Sequence, residues 1–203
     1  MPVISLTDFV DFVVASGPPR LTKVRELKRR GIYEPATDFW KRLREAIETL
    51  HREDREKPFL DEVRVGLTDR KKLAAYPPLI TAYKRFLGRK HTRWFDPPRG
   101  RWAHAELTVR VNPELGLDID GNRHVVKLYF KKQPLSKRRV ESILRLMEKT
   151  LKAGEGESFA VAVLDVANAK LIRPTIPVPD LDILLQSEAA AFMEIWQRLE
   201  REG

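Results

Sequence analysis

Residues 107–152 constrain the fold most, because they place a predicted β-hairpin directly before a predicted helix. Apolar and polar residues alternate over three segments separated by turn-forming residues, which indicates strands at 107–111, 115–119 and 124–131. The apolar residues of segment 135–151 instead recur at helical spacing, with charged residues between them. Strands and a helix that follow one another in this way predict a fold of the α+β class.

The remaining segments extend this architecture. Helical spacing predicts a mostly helical start, with one helix interrupted at Pro77 and Pro78 and an ordered loop over 89–101. An apolar run predicts a buried central strand at 159–166, followed by a short strand at 170–172 and a long final helix at 181–200. We therefore expect a single domain, residues 1–203, with a helical part (1–90) packed on an α+β part (91–203). The α+β part is expected to hold a small mixed sheet of strand-strand-strand-helix-strand order and a long C-terminal helix.

Composition excludes several classes of site. The chain has no cysteine, which excludes disulfides, thiol nucleophiles and the usual structural zinc sites. Its four histidines are scattered, so any metal would be a hard cation bound by carboxylates. No run of about 18 apolar residues is present, and the first residues lack the basic and apolar regions of a secretory signal. These features predict a bacterial-type cytoplasmic protein without a membrane partner.

The net charge of +9 favours a polyanionic partner such as DNA or RNA. The densest basic cluster surrounds the start of the helix predicted at 135–151, and it consists of Lys131, Lys132, Lys137, Arg138 and Arg139. A second segment, 89–102, interleaves cations with tryptophans, as single-stranded nucleic-acid binders do, and its candidates are Arg93 and Trp94. The alternative for both segments is structural: a helix start that faces water, and tryptophans that fill the core beneath a loop.

The hairpin register predicts which polar side chains meet. A two-residue loop at Gly121 and Asn122 pairs apolar residues with apolar residues, namely Ile119 with His124, Leu117 with Val126 and Leu115 with Leu128. The other face then carries Glu114, Asp118 and Lys127, and the last two become diagonal neighbours. This face is either a site or a solvated surface with cross-strand ion pairs.

Carboxylates beside a lysine are typical of a metal-dependent phosphodiesterase, in which magnesium is bound by the carboxylates and the lysine orients water or stabilises developing charge. Asp118 and Lys127 are therefore the candidate catalytic residues. The candidate metal ligands are Asp118, Glu114 and Asp165, the last of which ends the predicted central strand. A capping or turn role is the alternative for Asp165.

The order of a helix, three strands, a helix and a strand over residues 107–166 resembles the restriction-endonuclease-like core of nucleases. The resemblance extends to Glu45 or Glu48 in the preceding amphipathic helix. It implies a metal-binding acid at Asp118 and an active lysine at Lys127. The family has an acidic residue two places before that lysine, where this chain has Val125.

Two classes of function follow. The first is a basic, nucleic-acid-associated protein with a degenerate or active metal-dependent nuclease-like core, which would use magnesium if active. The second is a non-enzymatic interaction or oligomerising domain. In that class the C-terminal helix, with Phe192 and Trp196 on its apolar side, forms a homodimer or contacts a protein partner. The alternative is that this apolar side packs in the protein's own core.

Overall fold

The structure is a computed structural model that describes residues 1–30, 38–131, 133, 135–151, 158–174 and 179–201. Its helices are α1 (Leu6–Val14), α2 (Pro18–Arg30), α3 (Lys41–Arg52), a 3-10 helix (Lys57–Arg64), α4 (Arg70–Leu87), α5 (Lys137–Leu151) and α6 (Leu181–Arg201). Its strands are β1 (Val3–Ser5), β2 (Thr92–Phe95), β3 (Gly100–His104), β4 (Leu107–Val111), β5 (Leu115–Ile119), β6 (Asn122–Tyr129), β7 (Ala160–Asp165) and β8 (Lys170–Ile172). The predicted α+β class, the mixed sheet and the long C-terminal helix are confirmed.

The strands form two sheets. The larger sheet has the order β2-β5-β6-β7-β8, in which β6 and β7 are parallel and the other neighbours are antiparallel. Helix α5 makes the crossover between β6 and β7, as parallel neighbours require. The smaller sheet has the order β1-β4-β3, so β1 brings a strand from the helical first part beside β4.

The larger sheet separates two hydrophobic cores. One core lies on the face that carries Leu115, Leu117 and Val126, and it is completed by α3, the 3-10 helix and α4. The other lies on the face that carries Val125 and Val161, and it is completed by α1, α2, α5, α6 and the smaller sheet. Burial on both faces explains why β7 is a nearly continuous apolar segment.

The predicted hairpin register is wrong by two residues. Strand β5 pairs with β6 so that Ile119 lies opposite Asn122 and Leu115 lies opposite Val126. The turn residues are Asp120 and Gly121, both with positive φ, as the two-residue turns of the favoured hairpin type require. A shift of two residues keeps every side chain on its predicted face but changes its partner across the strands.

Two further local predictions are wrong. Helix α4 continues through Pro77 and Pro78, and this continuity carries Tyr76, Leu79 and Tyr83 into one core. The predicted loop at 89–101 contains strand β2, which pairs with β5 at the edge of the larger sheet. In both segments, tertiary packing overrides the local sequence preference.

Among the described residues, no helix combines the length and the apolar character needed to cross a membrane.

Candidate functional site

A cleft of about 1310 Å³ lies between elements of both cores. It lies where the chain leaves the smaller sheet after β4 and enters the larger sheet at β5, and Asn112, Pro113 and Glu114 of this connection line it. Elements that pack in both cores contribute to its lining. Elements β1, α1, α2 and α5 belong to the core that contains Val125, and α3 belongs to the core that contains Val126. The charged residues that line it are Asp8, Glu26, Arg29, Arg30, Asp38, Arg44, Glu48, Arg99, Arg110, Glu114, Lys127, Lys131 and Arg139. Cations outnumber carboxylates in this set, so the cleft favours an anionic occupant.

Glu114 and Lys127 form an ion pair in this cleft. The Lys127 Nζ donates a short hydrogen bond to the Glu114 carboxylate, and the two side chains are only 13% and 9% exposed. The second carboxylate oxygen of Glu114 accepts a hydrogen bond of 2.8 Å from the backbone N–H of Leu128. The Lys127 Nζ also lies 3.5 Å from the Asn112 carbonyl oxygen. The pair is therefore held by the backbone of β6 and of the β4–β5 connection.

The sequence places these two side chains together through strand alternation. Val126 and Leu128 point into one core, so Lys127 between them points to the other face. The observed register sets Lys127 beside Glu114, whose backbone N–H donates to the Val126 carbonyl at 3.1 Å.

Helix α3 adds a second carboxylate, Glu48. The neighbouring Ile47 is fully buried, and Glu48 lies at the edge of this apolar face, half-buried against the cleft. Burial raises the pKa of Glu48 above its usual value, and the nearby negative charge of Glu114 raises it further, while Arg44, Arg52 and Arg99 partly offset both effects. Glu48, Glu114 and Lys127 thus form one electrostatically coupled group, which we call the EEK cluster.

Part of the predicted nucleic-acid-binding patch is engaged by the protein itself. The carboxylate of Asp11 on α1 accepts hydrogen bonds from Lys131, at 2.7 and 2.9 Å, and from Arg139. Lys23 lies 3.6 Å from the same carboxylate and 2.9 Å from Asp8. Burial alone would raise the pKa of Asp11, but these cations outweigh burial, so the pKa lies below its usual value.

The rest of the patch lies on the outer side of α5. Arg138 forms an ion pair of 2.7 Å with Glu188 on α6. Lys137 is 88% exposed and lies 3.7 Å from Glu141, one helical turn later. Lys132 lies outside the described residues. Carboxylates of α5 and α6 therefore counter much of the positive charge of this helix start.

Asp118 does not meet Lys127. In the observed register it lies opposite Arg123 and forms a 3.4 Å ion pair with Arg93, whose side chain is 85% exposed. Four residues of strand separate Asp118 from Glu114, or about 13 Å at the usual rise. The predicted diagonal contact between Asp118 and Lys127 is therefore absent from the structure.

The other two predicted site residues have structural surroundings. Trp94 lies on β2, half-buried against the core, with the Arg52 guanidinium 5.3 Å from its ring. Asp165 accepts hydrogen bonds from the backbone and side-chain amides of Asn168, at 3.3 and 2.8 Å, and so stabilises the turn after β7.

The predicted ligand set of Asp118, Glu114 and Asp165 is consequently divided among three places. A search of the described residues finds no group of three or more Asp, Glu or His side chains that could hold a metal ion. Glu48 and Glu114 both line the cleft, and the charge of Glu114 acts on Glu48, so these two carboxylates are the candidate donors there. In the sequence, Glu48 is a candidate only through the family resemblance. The pattern that could have placed it at the cleft is the helical spacing of the buried residues of α3, which decides the side of the helix on which Glu48 lies.

A second cavity, of about 360 Å³, lies beside the buried His51. The His51 Nε2 is 2.6 Å from the Tyr83 hydroxyl, and its Nδ1 is 3.3 Å from the Thr92 hydroxyl. Burial lowers the pKa of His51 to about 4, although the charge of Asp54 opposes this effect. Both ring nitrogens have partners, so His51 stabilises the junction of α3, α4 and β2.

The comparisons with known proteins give no identity. No protein-family model, no curated protein and no solved structure matches the chain. A functional assignment must therefore come from the geometry and charge of the cleft.

Proposed function

We propose that the protein binds nucleic acid in the cleft of the EEK cluster and hydrolyses its phosphodiester bonds with the help of a divalent cation. The observation that carries this proposal is the convergence of Glu48, Glu114 and Lys127 in a cleft whose cations outnumber its carboxylates. Cations on the walls would neutralise backbone phosphates, which supply most of the affinity in nucleic-acid binding. The buried group would act on one of those phosphates.

The donor chemistry fits magnesium or manganese. Two carboxylates from different elements, α3 and the β4–β5 connection, face the same cleft and repel each other there. Hard cations of this kind are commonly held by one or two carboxylates together with water and substrate phosphate. Glu48 and Glu114 would hold the cation, which when bound supplies charge stabilisation at the reacting phosphate.

Lys127 would act as a charge that stays fixed at the reacting phosphate. Its ammonium group has three donors, and the contacts to Glu114 and Asn112 use two of them. The remaining donor can hold a phosphate oxygen or the attacking water. Because Glu114 and the strand pairing fix the ammonium group beforehand, little reorganisation is needed in the transition state.

The element order supports the same class of reaction. Helix α3 precedes the strands, and β5, β6, α5 and β7 follow one another in the order of the restriction-endonuclease-like resemblance, although β4, the first of its three strands, lies in the smaller sheet. The departure at Val125 has a physical reason here, since that side chain is fully buried in the core. Glu48 would supply the second carboxylate from α3 instead.

The test is cleavage of end-labelled DNA and RNA, single- and double-stranded, with magnesium, with manganese and with EDTA. We expect metal-dependent cleavage that falls about 100-fold or more in the Glu48→Gln and Lys127→Met variants, as for loss of one electrostatic stabiliser. The matched controls are Glu45→Gln, on the exposed side of α3, and Lys170→Met, at an exposed lysine of β8 that is not among the cleft-lining residues. Both should retain wild-type rates.

Circular dichroism and urea unfolding of each variant would separate a lost reaction from a lost fold. Cleavage that persists in EDTA, or that survives both substitutions in the EEK cluster, would contradict the assigned chemistry. Binding without any cleavage would limit the protein to a non-catalytic nucleic-acid-binding role. Failure to bind any nucleic acid at low salt would overturn the whole proposal.

A further inference from the structure

We infer that the cleft accepts an unpaired nucleic-acid strand and excludes a duplex. The inference rests on the proposed function and adds the substrate class to it. It depends on three independent features: the size of the cleft, the neutralised outer surface of α5, and the aromatic side chains at the cleft wall.

The cleft is too small for a duplex. Its 1310 Å³ equals the volume of a cube with edges of about 11 Å. A B-DNA duplex is wider than its own major groove, which is about 12 Å, so a duplex would lie across the mouth of a cleft of this volume rather than within it. A few nucleotides of one strand can enter it, and the EEK cluster is part of the lining that such a strand would meet.

The outer basic surface does not form a continuous track for a duplex. Lys131 and Arg139 are bound to Asp11, and Arg138 is bound to Glu188. Lys137 stays exposed but lies beside Glu141. A duplex lying across this helix start would meet alternating charges, and its phosphates would compete with carboxylates already in place. Lys131 and Arg139 also line the cleft, so the positive charge that can meet an entering strand comes from other cations of the lining.

Two cations of the lining are well placed for that role. Arg99 is exposed, and its charge acts on Glu48, so it lies close enough to influence the EEK cluster. Arg110 lies on β4, directly before the connection that carries Glu114. Together they would contact the phosphates on either side of the reacting one.

The aromatic residues Phe39 and Trp40 line the cleft beside α3, and both are half-buried. Trp40 is nearly parallel to Phe130 at 5.5 Å and to Tyr76 at 6.0 Å, so the core fixes its ring. Phe39 packs edge-on against Trp40, with ring centres 4.5 Å apart. A rigidly supported phenyl ring at the wall of a cationic cleft can stack with an unpaired base, which a duplex does not offer.

The experiment is fluorescence anisotropy of the wild-type chain of 203 residues in EDTA, so that metal-dependent cleavage cannot alter the probe. The probes are a labelled single strand of about 12 nucleotides, as DNA and as RNA, and the matching blunt duplex. We expect the single strand to bind roughly tenfold or more tightly than the duplex. A plot of the logarithm of the single-strand binding constant against the logarithm of the salt concentration should have a slope of about −2, the value for three phosphate contacts.

Two pairs of variants locate the strand. Phe39→Ala should weaken single-strand binding roughly tenfold, the effect of one lost stacking contact. Phe59→Ala is its control, since Phe59 is a half-buried ring of the same core that does not line the cleft. Arg99→Ala should weaken binding, and Arg70→Ala, an exposed arginine outside the cleft, should not.

Each outcome decides a separate question. Duplex binding as tight as single-strand binding would overturn this inference and leave the proposed function standing. A single-strand preference that is unchanged by both Phe39→Ala and Arg99→Ala would also overturn it, because the strand would then lie elsewhere. If neither probe binds at low salt, the proposed function fails, and the inference fails with it.

Discussion

Acidification from pH 7 to pH 5 should destabilise the protein, because His51 is buried in its neutral form. Its pKa is about 4 in the folded state, compared with the ordinary value of 6.5. The unfolded chain therefore binds a proton at a pH where the folded protein does not. The stabilisation is complete above pH 6.5 and is lost as the pH falls towards 4.

The magnitude follows from the two pKa values. At 1.36 kcal/mol for each pKa unit, the difference between the two pKa values lowers the free energy of unfolding by about 3 kcal/mol below pH 4. About 2 kcal/mol of this decrease occurs between pH 7 and pH 5. In a chain of 203 residues, 2 kcal/mol corresponds to a fall in Tm of roughly 4 to 8 °C. An effect of this size is a large fraction of the stability of a typical domain.

The assay is urea unfolding at pH 7, 6 and 5, followed by the fluorescence of the four tryptophans. The test variant is His51→Gln, whose amide can retain the contact with the Tyr83 hydroxyl but does not titrate. It should lose about 2 kcal/mol less than the wild type over this range. His124, whose pKa is also lowered by burial, is present in both proteins and cancels in the comparison.

The control is His91→Gln, at an exposed histidine, which should reproduce the wild-type pH dependence. An equal loss of stability in the wild type and in His51→Gln would refute the reasoning, since it would assign the pH dependence to other groups.

Three further substitutions test the packing and the charges. Gly116→Ala should cost about 3 kcal/mol or prevent folding, because a Cβ atom there would overlap the Phe95 carbonyl oxygen. A cost below about 1 kcal/mol in urea unfolding would contradict this contact. Asp11→Asn should lower the free energy of unfolding by about 2 kcal/mol, since it removes the charge shared by cations on three elements. The variant should also lose less stability than the wild type when the pH falls below about 4. Asp118→Ala should change stability by less than about 1 kcal/mol and leave nucleic-acid binding unaltered, because the ion pair of Asp118 is at the exposed end of the hairpin. A cleavage defect equal to that of Glu48→Gln would instead show that Asp118 belongs to the site.

Local patterns predicted the main elements because each element carries its own periodicity. Apolar residues at helical spacing predicted α5 within two residues of its observed start, and the apolar run at 159–166 predicted β7. Strand β2 was missed because its four residues, Thr92–Phe95, show no clear alternation and gain their pairing only from β5. The prolines of α4 were misleading for the same reason, since packing of its apolar face stabilises the helix through them.

The candidate site was predicted only in part. Glu114 and Lys127 were both named, and strand alternation did place them on one face of the hairpin. Their partner was not identified correctly, because the turn at Asp120 and Gly121 shifts the register by two residues, and so exchanges Asp118 for Glu114 beside Lys127. A turn type is a small energetic preference, yet it decides which carboxylate meets the lysine.

The sequence by itself determined the class of fold, the order of the long elements and the excess of positive charge, because propensity, periodicity and charge are properties of neighbouring residues. Only the tertiary structure decided that Asp11 neutralises Lys131 and Arg139, and that Glu48 approaches Glu114. These contacts join residues from elements far apart in the chain. Their electrostatic effect depends on distance and burial, which the order of residues does not specify.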